Sequence, residues 1–387
     1  MGMPAVAAIT ACLFMIYILA GYPLLLRSLA RRRARPVKRG PMEPTISLII
    51  VVYNGERFLE AKLQSVLALE YPADKLEIIV ASDGSTDRTE EIAARFAAPR
   101  VHLLRVPRGG KPAALNAAIA MARGEILVLT DVRQPLEPPS VARLVENFAD
   151  PSVGVVSGEL LIRAGASQEE ADIGLYWRFE TWMRDSLSSI DSMFGATGPF
   201  YAIRRALAVP IPADALLDDM YLPLAAYFQG YRLVMDSRAR AYDIPTSLET
   251  EFRRKMRTLA GNYQILRAYP ALLGPRNRMW VHFMSYKFGR LLLPWLLLIL
   301  AAASFGLPAP WRTLALAGQA AFYGLALADA WIFRPRLLKR LSSSAHTFLV
   351  MMIATLGGLS VFFIPPRTLW KVTSAGPLPD EASRTTH

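Results

Sequence analysis

Residues 125–133 read Glu-Ile-Leu-Val-Leu-Thr-Asp-Val-Arg, an apolar run that ends in Thr130, Asp131 and Arg133. Gly124 precedes the run, and a proline-rich turn follows it. A short apolar run between turn signals predicts a buried strand. Such a strand delivers Asp131 to the carboxyl edge of a sheet, where α/β folds place their ligand sites. There the carboxylate either holds a divalent cation against substrate phosphates or only caps the next turn.

Three further apolar runs come earlier in the chain, and helical patterns separate the four. Because strand and helix alternate, a parallel sheet in an α/β domain spanning about 44–246 is favoured. Residues 153–162 form either another strand or a hairpin, and residues 171–188 have helical spacing. The predicted strands are 46–52, 76–81, 101–106 and 125–130, and the predicted helices are 56–69, 112–122 and one capped by Ser85 or Thr86 with Glu90 as its partner.

The composition is too apolar for an ordinary soluble enzyme, with 53% hydrophobic residues in a chain of 387. The 44 basic and 32 acidic residues give a net charge of +12. Many basic residues lie beside apolar segments, as in 27–39 and 334–340, which indicates cytoplasmic flanks of membrane spans rather than nucleic-acid binding. A single cysteine, Cys12, excludes a disulfide framework and a cysteine-based metal site within one chain.

Residues 4–26 are apolar and uncharged, which is long enough to cross a bilayer. Because the basic run follows this segment, we predict a retained anchor with the amino terminus outside and the next region in the cytoplasm. Residues 251–266 form either an interfacial amphipathic helix or a solvated helix face. The predicted organisation is an anchor with its basic flank (1–40), the α/β domain (44–246), interfacial helices (247–285), about three spans at 291–307, 311–333 and 347–364 (286–366), and a polar tail (367–387).

Polar residues follow each of the first strands. The turn 52–56 (Val-Tyr-Asn-Gly-Glu) offers backbone amides and one aromatic ring. Asp83, at the end of the second strand, is placed to accept a hydrogen bond from a base or ribose, or it belongs to a capped turn only. The string Gly109-Gly110-Lys111 lacks the spacing of a phosphate-binding P-loop. We still expect Lys111 to direct its charge at the sheet edge where Asp131 lies.

Asp218 and Asp219 form a second acidic site. Because neighbouring carboxylates repel, one of the two is suited to take up a proton and act as a general base. The alternative is an acidic pair that only favours the start of a helix. The small-residue loop 195–201 (Gly-Ala-Thr-Gly-Pro-Phe-Tyr) precedes the pair and is expected to line an acceptor site.

In this order, the strings resemble those of membrane-bound members of glycosyltransferase family 2, which include cellulose, hyaluronan, chitin-oligosaccharide and poly-N-acetylglucosamine synthases. The resemblance covers about 44–266. It implies a glycosyltransferase A-type (GT-A) domain with flanking transmembrane helices in the plasma membrane and a cytoplasmic catalytic domain. It also implies sugar transfer from a nucleotide-sugar donor, a UDP-sugar above all, to a carbohydrate or lipid-linked acceptor, for exopolysaccharide or cell-envelope synthesis.

The resemblance also implies roles for particular residues. Asp131 corresponds to the first Asp of the Asp-x-Asp metal motif, which holds Mg²⁺ or Mn²⁺, and Asp219 to the catalytic base. The implied nucleotide-sugar contacts are Tyr53, Glu56, Asp83, Lys111 and Arg257, and the implied acceptor contacts are Thr197, Gly198 and Asp218.

The chain departs from the family's pattern at two places. Arg133 replaces the second Asp of the metal motif, so it either contacts the diphosphate in place of part of the metal's charge or marks a membrane scaffold that has lost turnover. The Gln-x-x-Arg-Trp motif reads Arg254-Lys-Met-Arg257-Thr258. Without its Trp, both a processive synthase and a single-sugar transferase acting on a lipid acceptor remain open.

Overall fold

The structure, a computed structural model, describes residues 2–162, 168–243, 248–332, 334 and 336–365. The described residues fall into two compact units. One lies within 26–247, and the other combines the amino-terminal residues up to 25 with those from 248 onward. The predicted polar tail 367–387 lies outside the described residues.

The elements follow one another in chain order. The strands are β1 (Ile46–Val52), β2 (Leu76–Asp83), β3 (Val101–Val106), β4 (Ile126–Asp131), β5 (Val153–Ile162), β6 (Phe200–Arg204) and β7 (Arg232–Asp243). The helices are α1 (Met3–Ile16), α2 (Tyr22–Arg32), α3 (Glu56–Leu67), α4 (Thr89–Arg95), α5 (Lys111–Met121), α6 (Ser140–Val145), α7 (Gln168–Ile190), α8 (Asp218–Phe228), α9 (Leu248–Ala268), α10 (Trp280–Phe283), α11 (Gly289–Phe305), α12 (Trp311–Leu327) and α13 (Arg336–Gly358).

The strands join in one sheet with the order β3-β2-β1-β4-β6-β5-β7. Strands β1 to β4 pair in parallel, as predicted, whereas β6 runs antiparallel to both β4 and β5. The sheet is therefore mixed, and the predicted parallel pairing holds for β1 to β4 only. The sequence did not predict β6 or β7, because β6 begins within the predicted small-residue loop 195–201 and β7 carries five charged residues.

The core explains why β1, β2 and β4 read as continuous apolar runs. Helices cover the sheet, so the side chains on both of its faces are buried along almost the whole length of these strands. On α3, Leu59, Leu63 and Val66 are fully buried in the same hydrophobic cluster as β1. Burying one such side chain contributes about 1.5–3 kcal/mol. Packing of these layers fixes the strand ends that carry the polar residues.

The predicted cap of the helix after β2 is wrong. Helix α4 begins at Thr89, so Ser85 and Thr86 precede it and instead bond to Asn54 of the neighbouring turn. Glu90 accepts a hydrogen bond from the Ser82 hydroxyl at 2.9 Å rather than reaching back to a capping backbone amide. The residues between β2 and α4 therefore connect the loop after β2 to the loop after β1 by hydrogen bonds.

Counted over the described residues, three helical stretches are long and apolar enough to cross a membrane. They are Met3–Arg32, Trp280–Phe305 and Leu337–Phe362. The predicted span 311–333 corresponds to α12, which has 17 residues and is not among the three. Helix α9 lies against the end of α13, where a Cβ on Gly358 would come within 3.0 Å of the Ala260 backbone nitrogen. A larger residue there would require the neighbouring backbone to shift by a few tenths of an ångström.

Candidate active site

A cleft opens at the carboxyl ends of β1 and β4, at the edge that the sequence predicted for Asp131. It lies between the sheet, the start of α5 and the start of α8. Its lining residues are Ile49, Val51, Lys111, Leu115, Leu129, Thr130, Asp131, Gly198 and Asp218. Four of the predicted site residues therefore share one cleft.

Lys111 is the cation of this cleft. Its Nζ lies 3.0 Å from Oδ1 of Asp131 and 3.2 Å from Oδ2 of Asp218. Burial alone would lower the pKa of Lys111, but the charges of Asp131, Asp218 and Asp219 outweigh it and raise the pKa above its ordinary value. Lys111 is therefore a permanent positive charge that joins two carboxylates from distant parts of the chain.

Asp219 lies beside the same cleft. It is the second residue of α8 and is partly exposed, whereas Asp218 is only 5% exposed. The Ala196 backbone N–H donates to the Asp219 carbonyl at 2.7 Å, which holds the small-residue loop against the helix start. A Cβ on Gly198 would lie 2.8 Å from the Asp219 carboxylate, so glycine allows the loop to pass there. The structure thus places Asp131 in the cleft and Asp219 beside it, next to Gly198 of the lining.

The predicted acceptor loop is held by residues that the sequence analysis did not select. The Thr197 hydroxyl lies 3.0 Å from that of Ser157, and Arg184 of α7 donates to it at 2.8 Å. Arg184 also donates to the carbonyls of Gly195 and Ala196. Thr197 therefore serves the loop's own structure, and its role as an acceptor contact stays a prediction. No motif marked Arg184, because its partners lie in a different element.

Asp83, the predicted contact to the nucleotide's base or ribose, lies at the end of β2. Asp83 is 1% exposed and accepts hydrogen bonds from the backbone N–H groups of Gly109 at 2.8 Å and Gly110 at 3.0 Å. It also pairs with Arg108, whose guanidinium carbon lies 3.6 Å from the centre of the Tyr53 ring. Tyr53 and Asp83 are thus neighbours through Arg108, a residue that the sequence analysis did not select.

Of the predicted nucleotide contacts, Lys111 lines this cleft, whereas Tyr53, Glu56, Asp83 and Arg257 do not. Glu56 begins α3 and accepts hydrogen bonds from the backbone N–H of Arg88 at 3.1 Å and its side-chain Nε at 3.3 Å. Arg257 lies in α9, within the other unit. Thr258, where the family has Trp, bonds back to its own helix at the Arg254 carbonyl. The nucleotide-binding roles of Glu56 and Arg257 stay predictions.

Arg133, suggested as a contact to the diphosphate, pairs with an acidic residue of β7 instead. Its guanidinium lies 2.5 Å from Oδ2 of Asp243 in β7, and the side-chain amide of Gln134 donates to the same oxygen at 2.9 Å. The Arg133 charge is therefore balanced by Asp243 within the protein. It is not among the residues that line the cleft.

The described residues contain no group of three or more His, Cys, Asp or Glu side chains placed to hold a metal ion. Asp131 offers one carboxylate at the cleft, with its side chain 38% exposed. Mg²⁺ commonly keeps several waters and takes only one or two carboxylates together with substrate phosphates. The donor set therefore fits an ion that binds together with a diphosphate, rather than a resident metal.

Two buried polar side chains lie beneath the cleft. Burial lowers the pKa of Lys62 to about 7, although the charge of Asp131 acts in the opposite direction. Burial, with the charges of Asp218, Asp219 and Asp131, raises the pKa of the Tyr201 phenol well above its usual value. Tyr201 is therefore a neutral phenol next to the carboxylates.

Comparison with known proteins agrees with this fold. Residues 47–208 match the sequence model described as Glycosyl transferase family 2. A probable glycosyltransferase, YdaM of Bacillus subtilis, is 26% identical over 63% of this chain and 61% of its own length. An N-acetylglucosaminyltransferase of Rhizobium leguminosarum is 24% identical over 81% of this chain and 78% of its own. The poly-beta-1,6-N-acetyl-D-glucosamine synthase of Staphylococcus aureus (strain COL) is 25% identical over 57% of this chain and 55% of its own length.

A solved structure gives the same result for the fold. The mannosyltransferase PcManGT of Pyrobaculum calidifontis, determined with GDP-Man and Mn²⁺, superposes with a TM-score of 0.67 and 25% identity. The match covers 90% of this chain and 99% of that one. The chain spans less than two thirds of the Bacillus and Staphylococcus proteins. Residues 47–208 therefore form a glycosyl transferase family 2 domain, and the predicted GT-A fold is confirmed.

Proposed function

Since the chain carries a glycosyl transferase family 2 domain with a GT-A fold, we propose that it moves a sugar from a nucleotide diphosphate donor to an acceptor hydroxyl at a membrane, with inversion. The observation that carries the proposal is the Lys111 bridge between Asp131 and Asp218, with Asp219 beside it. A fixed cation and a partly exposed carboxylate at one cleft supply the two groups that this reaction needs.

In the proposed reaction, the acceptor oxygen attacks the anomeric carbon and forms the new glycosidic bond. The bond from that carbon to the diphosphate breaks, and the diphosphate leaves with the electron pair. Asp219 takes the acceptor's proton, as a positioned general base does. Lys111 stabilises the charge that grows on the diphosphate, and it needs no rearrangement because Asp131 and Asp218 already hold it in place.

We propose that Asp131 holds a divalent cation, Mg²⁺ or Mn²⁺, together with the donor's diphosphate. The ion would neutralise phosphate charge in the way usual for such sites. The mannosyltransferase neighbour contains Mn²⁺, which supports a divalent ion here without selecting between the two. Lys111 competes for the same carboxylate, so the ion is expected to bind weakly until the donor arrives.

We place the protein in the plasma membrane, with its catalytic domain in the cytoplasm, on the basis of the three apolar helices and the basic residues after the first. The polymer-synthase relatives support exopolysaccharide or cell-envelope synthesis. Thr258 supports the second candidate, transfer of one sugar to a lipid-linked acceptor, because no aromatic ring stands where the processive family members carry Trp. The length of the product, measured by mass spectrometry, separates the two.

A panel of nucleotide sugars tests the proposal. We expect the best donor, among UDP-sugars and GDP-mannose, to raise the unfolding temperature of the purified chain. A ligand at 100 times its dissociation constant adds about 2.7 kcal/mol to the free energy of unfolding. Mg²⁺ or Mn²⁺ should enlarge the shift, and EDTA should reduce it and suppress release of the nucleoside diphosphate.

Asp131→Asn is the variant that tests whether this carboxylate is responsible for the effect of the divalent cation. It should keep the fold and lose most of the difference between the Mn²⁺ and EDTA samples. A protein that binds donors but releases no diphosphate under any condition is a scaffold rather than an enzyme. A protein that responds to none of the donors contradicts the proposed substrate class.

A further inference from the structure

Lys62 is a buried cationic side chain that the reaction described above does not use. It lies on α3 in the stripe of Leu59, Leu63 and Val66 and is 1% exposed. A buried amine is costly unless hydrogen bonds satisfy it. Its Nζ donates to the Thr130 hydroxyl at 2.7 Å and to the Gln134 carbonyl at 2.5 Å. These two acceptors flank Asp131 at the end of β4.

The contact continues from Thr130 into the acceptor loop. The Thr130 hydroxyl donates its own hydrogen to the Pro199 carbonyl at 2.8 Å. The same carbonyl accepts the Asp131 backbone N–H at 3.2 Å. One chain of hydrogen bonds therefore runs from α3 through the end of β4 to Pro199, next to the glycine that faces Asp219.

The other acceptor fixes the far end of the turn. Gln134, whose carbonyl Lys62 binds, is 2% exposed and donates its side-chain amide to Asp243. Because Arg133 also pairs with Asp243, the four residues after Thr130 are held at both ends. Lys62 therefore binds both ends of the turn that presents Asp131, at Thr130 and at Gln134.

We propose that Lys62 is a positioning residue of the transfer reaction. Through Thr130 it fixes two segments relative to each other, namely the turn that presents Asp131 and the loop that faces Asp219. The inference rests on the proposed function, because the arrangement matters only if both carboxylates serve one reaction. A neutral amine has two N–H donors, one for each acceptor, so the bridge persists when burial favours the uncharged form.

A double-mutant cycle tests the bridge in the full-length chain. Lys62→Met keeps the length and apolar stem and removes the donor, while Thr130→Val removes the bridging hydroxyl. Each is expected to lower kcat by about 10- to 100-fold, since small displacements of reacting groups have effects of that size. The KM for the donor should change little. The double variant should lose less kcat than the product of the two single effects, because both changes remove the contact between Lys62 and Thr130.

Hydrogen exchange supplies a readout that does not depend on activity. Amides in 195–201 should exchange faster in Lys62→Met than in the wild type, without substrates present. Lys75→Met is the matched control, since it makes the same change at an exposed ion pair with Glu43. It should alter neither exchange in this loop nor kcat.

The inference is overturned if Lys62→Met keeps kcat within about twofold, if the effects of the two single changes multiply in the double variant, or if exchange in 195–201 is unchanged. Should Lys62→Met fail to fold, Lys62→Gln, which keeps N–H donors on a shorter stem, takes its place in the same cycle with Thr130→Val and in the exchange measurement. A wild-type protein without transferase activity contradicts the proposed function, while faster exchange in Lys62→Met would still support the bridge.

Discussion

Replacing Asp219 by asparagine is expected to leave donor binding intact and to lower turnover by about 10²- to 10⁴-fold, the usual contribution of a positioned general base. The amide has the same shape but cannot take up the acceptor's proton. The loop should stay in place, because Ala196 bonds to the backbone carbonyl of residue 219 and not to its side chain. Calorimetric titration of the donor and kcat at saturating donor measure the two effects separately.

Asp218→Asn distinguishes the base from its neighbour. Asp218 is buried and paired with Lys111, so its loss should lower both the unfolding temperature and donor affinity. Asp74→Asn makes the same chemical change at an exposed acidic residue and should alter neither. Unchanged turnover in Asp219→Asn means that the base is assigned to the wrong residue.

Lys111→Met is expected to have the largest combined effect on stability and activity. It leaves the buried Asp218 without its cation, and breaking a buried ion pair from one side costs about 3 kcal/mol or more. It also removes the fixed charge that stabilises the leaving diphosphate, a loss of about 10²- to 10³-fold in kcat by analogy with single electrostatic donors. Chemical denaturation and steady-state kinetics on the same preparation measure both.

The exposed pair between Lys75 and Glu43, at 3.0 Å, provides the comparison for Lys111→Met. An exposed ion pair contributes at most about 1 kcal/mol, so Lys75→Met should resemble the wild type in stability and kcat. If Lys111→Met behaves like Lys75→Met, the Lys111 bridge has no part in the reaction.

The sequence was informative where local pattern and burial coincide. Strands β1 and β3 have the predicted bounds, because each is a short apolar run between turn signals. The polar residues after β2 and β4 were predictable because parallel strands bring their carboxyl ends to one edge. Asp131 and Lys111 therefore meet although 20 positions separate them in the chain.

Other parts depended on partners that no local pattern reveals. Strand β7 has charged residues such as Arg238 and Asp236 that pair with each other, so its alternation was hidden. Arg133 was left open between a diphosphate contact and the mark of an inactive scaffold, because Asp243, its partner in the structure, lies 110 residues away. Lys62 carried a usable signal, a lysine in the apolar stripe of an amphipathic helix, but its acceptors belong to β4 and the turn after it.

A structure of the chain bound to its nucleoside diphosphate tests the central claim most directly. We expect the phosphates to lie within hydrogen-bonding distance of Lys111, next to Asp131, with Asp219 facing the open side of the same cleft. A nucleotide bound elsewhere, or an Asp219 carboxylate turned away from the bound diphosphate, would contradict the account.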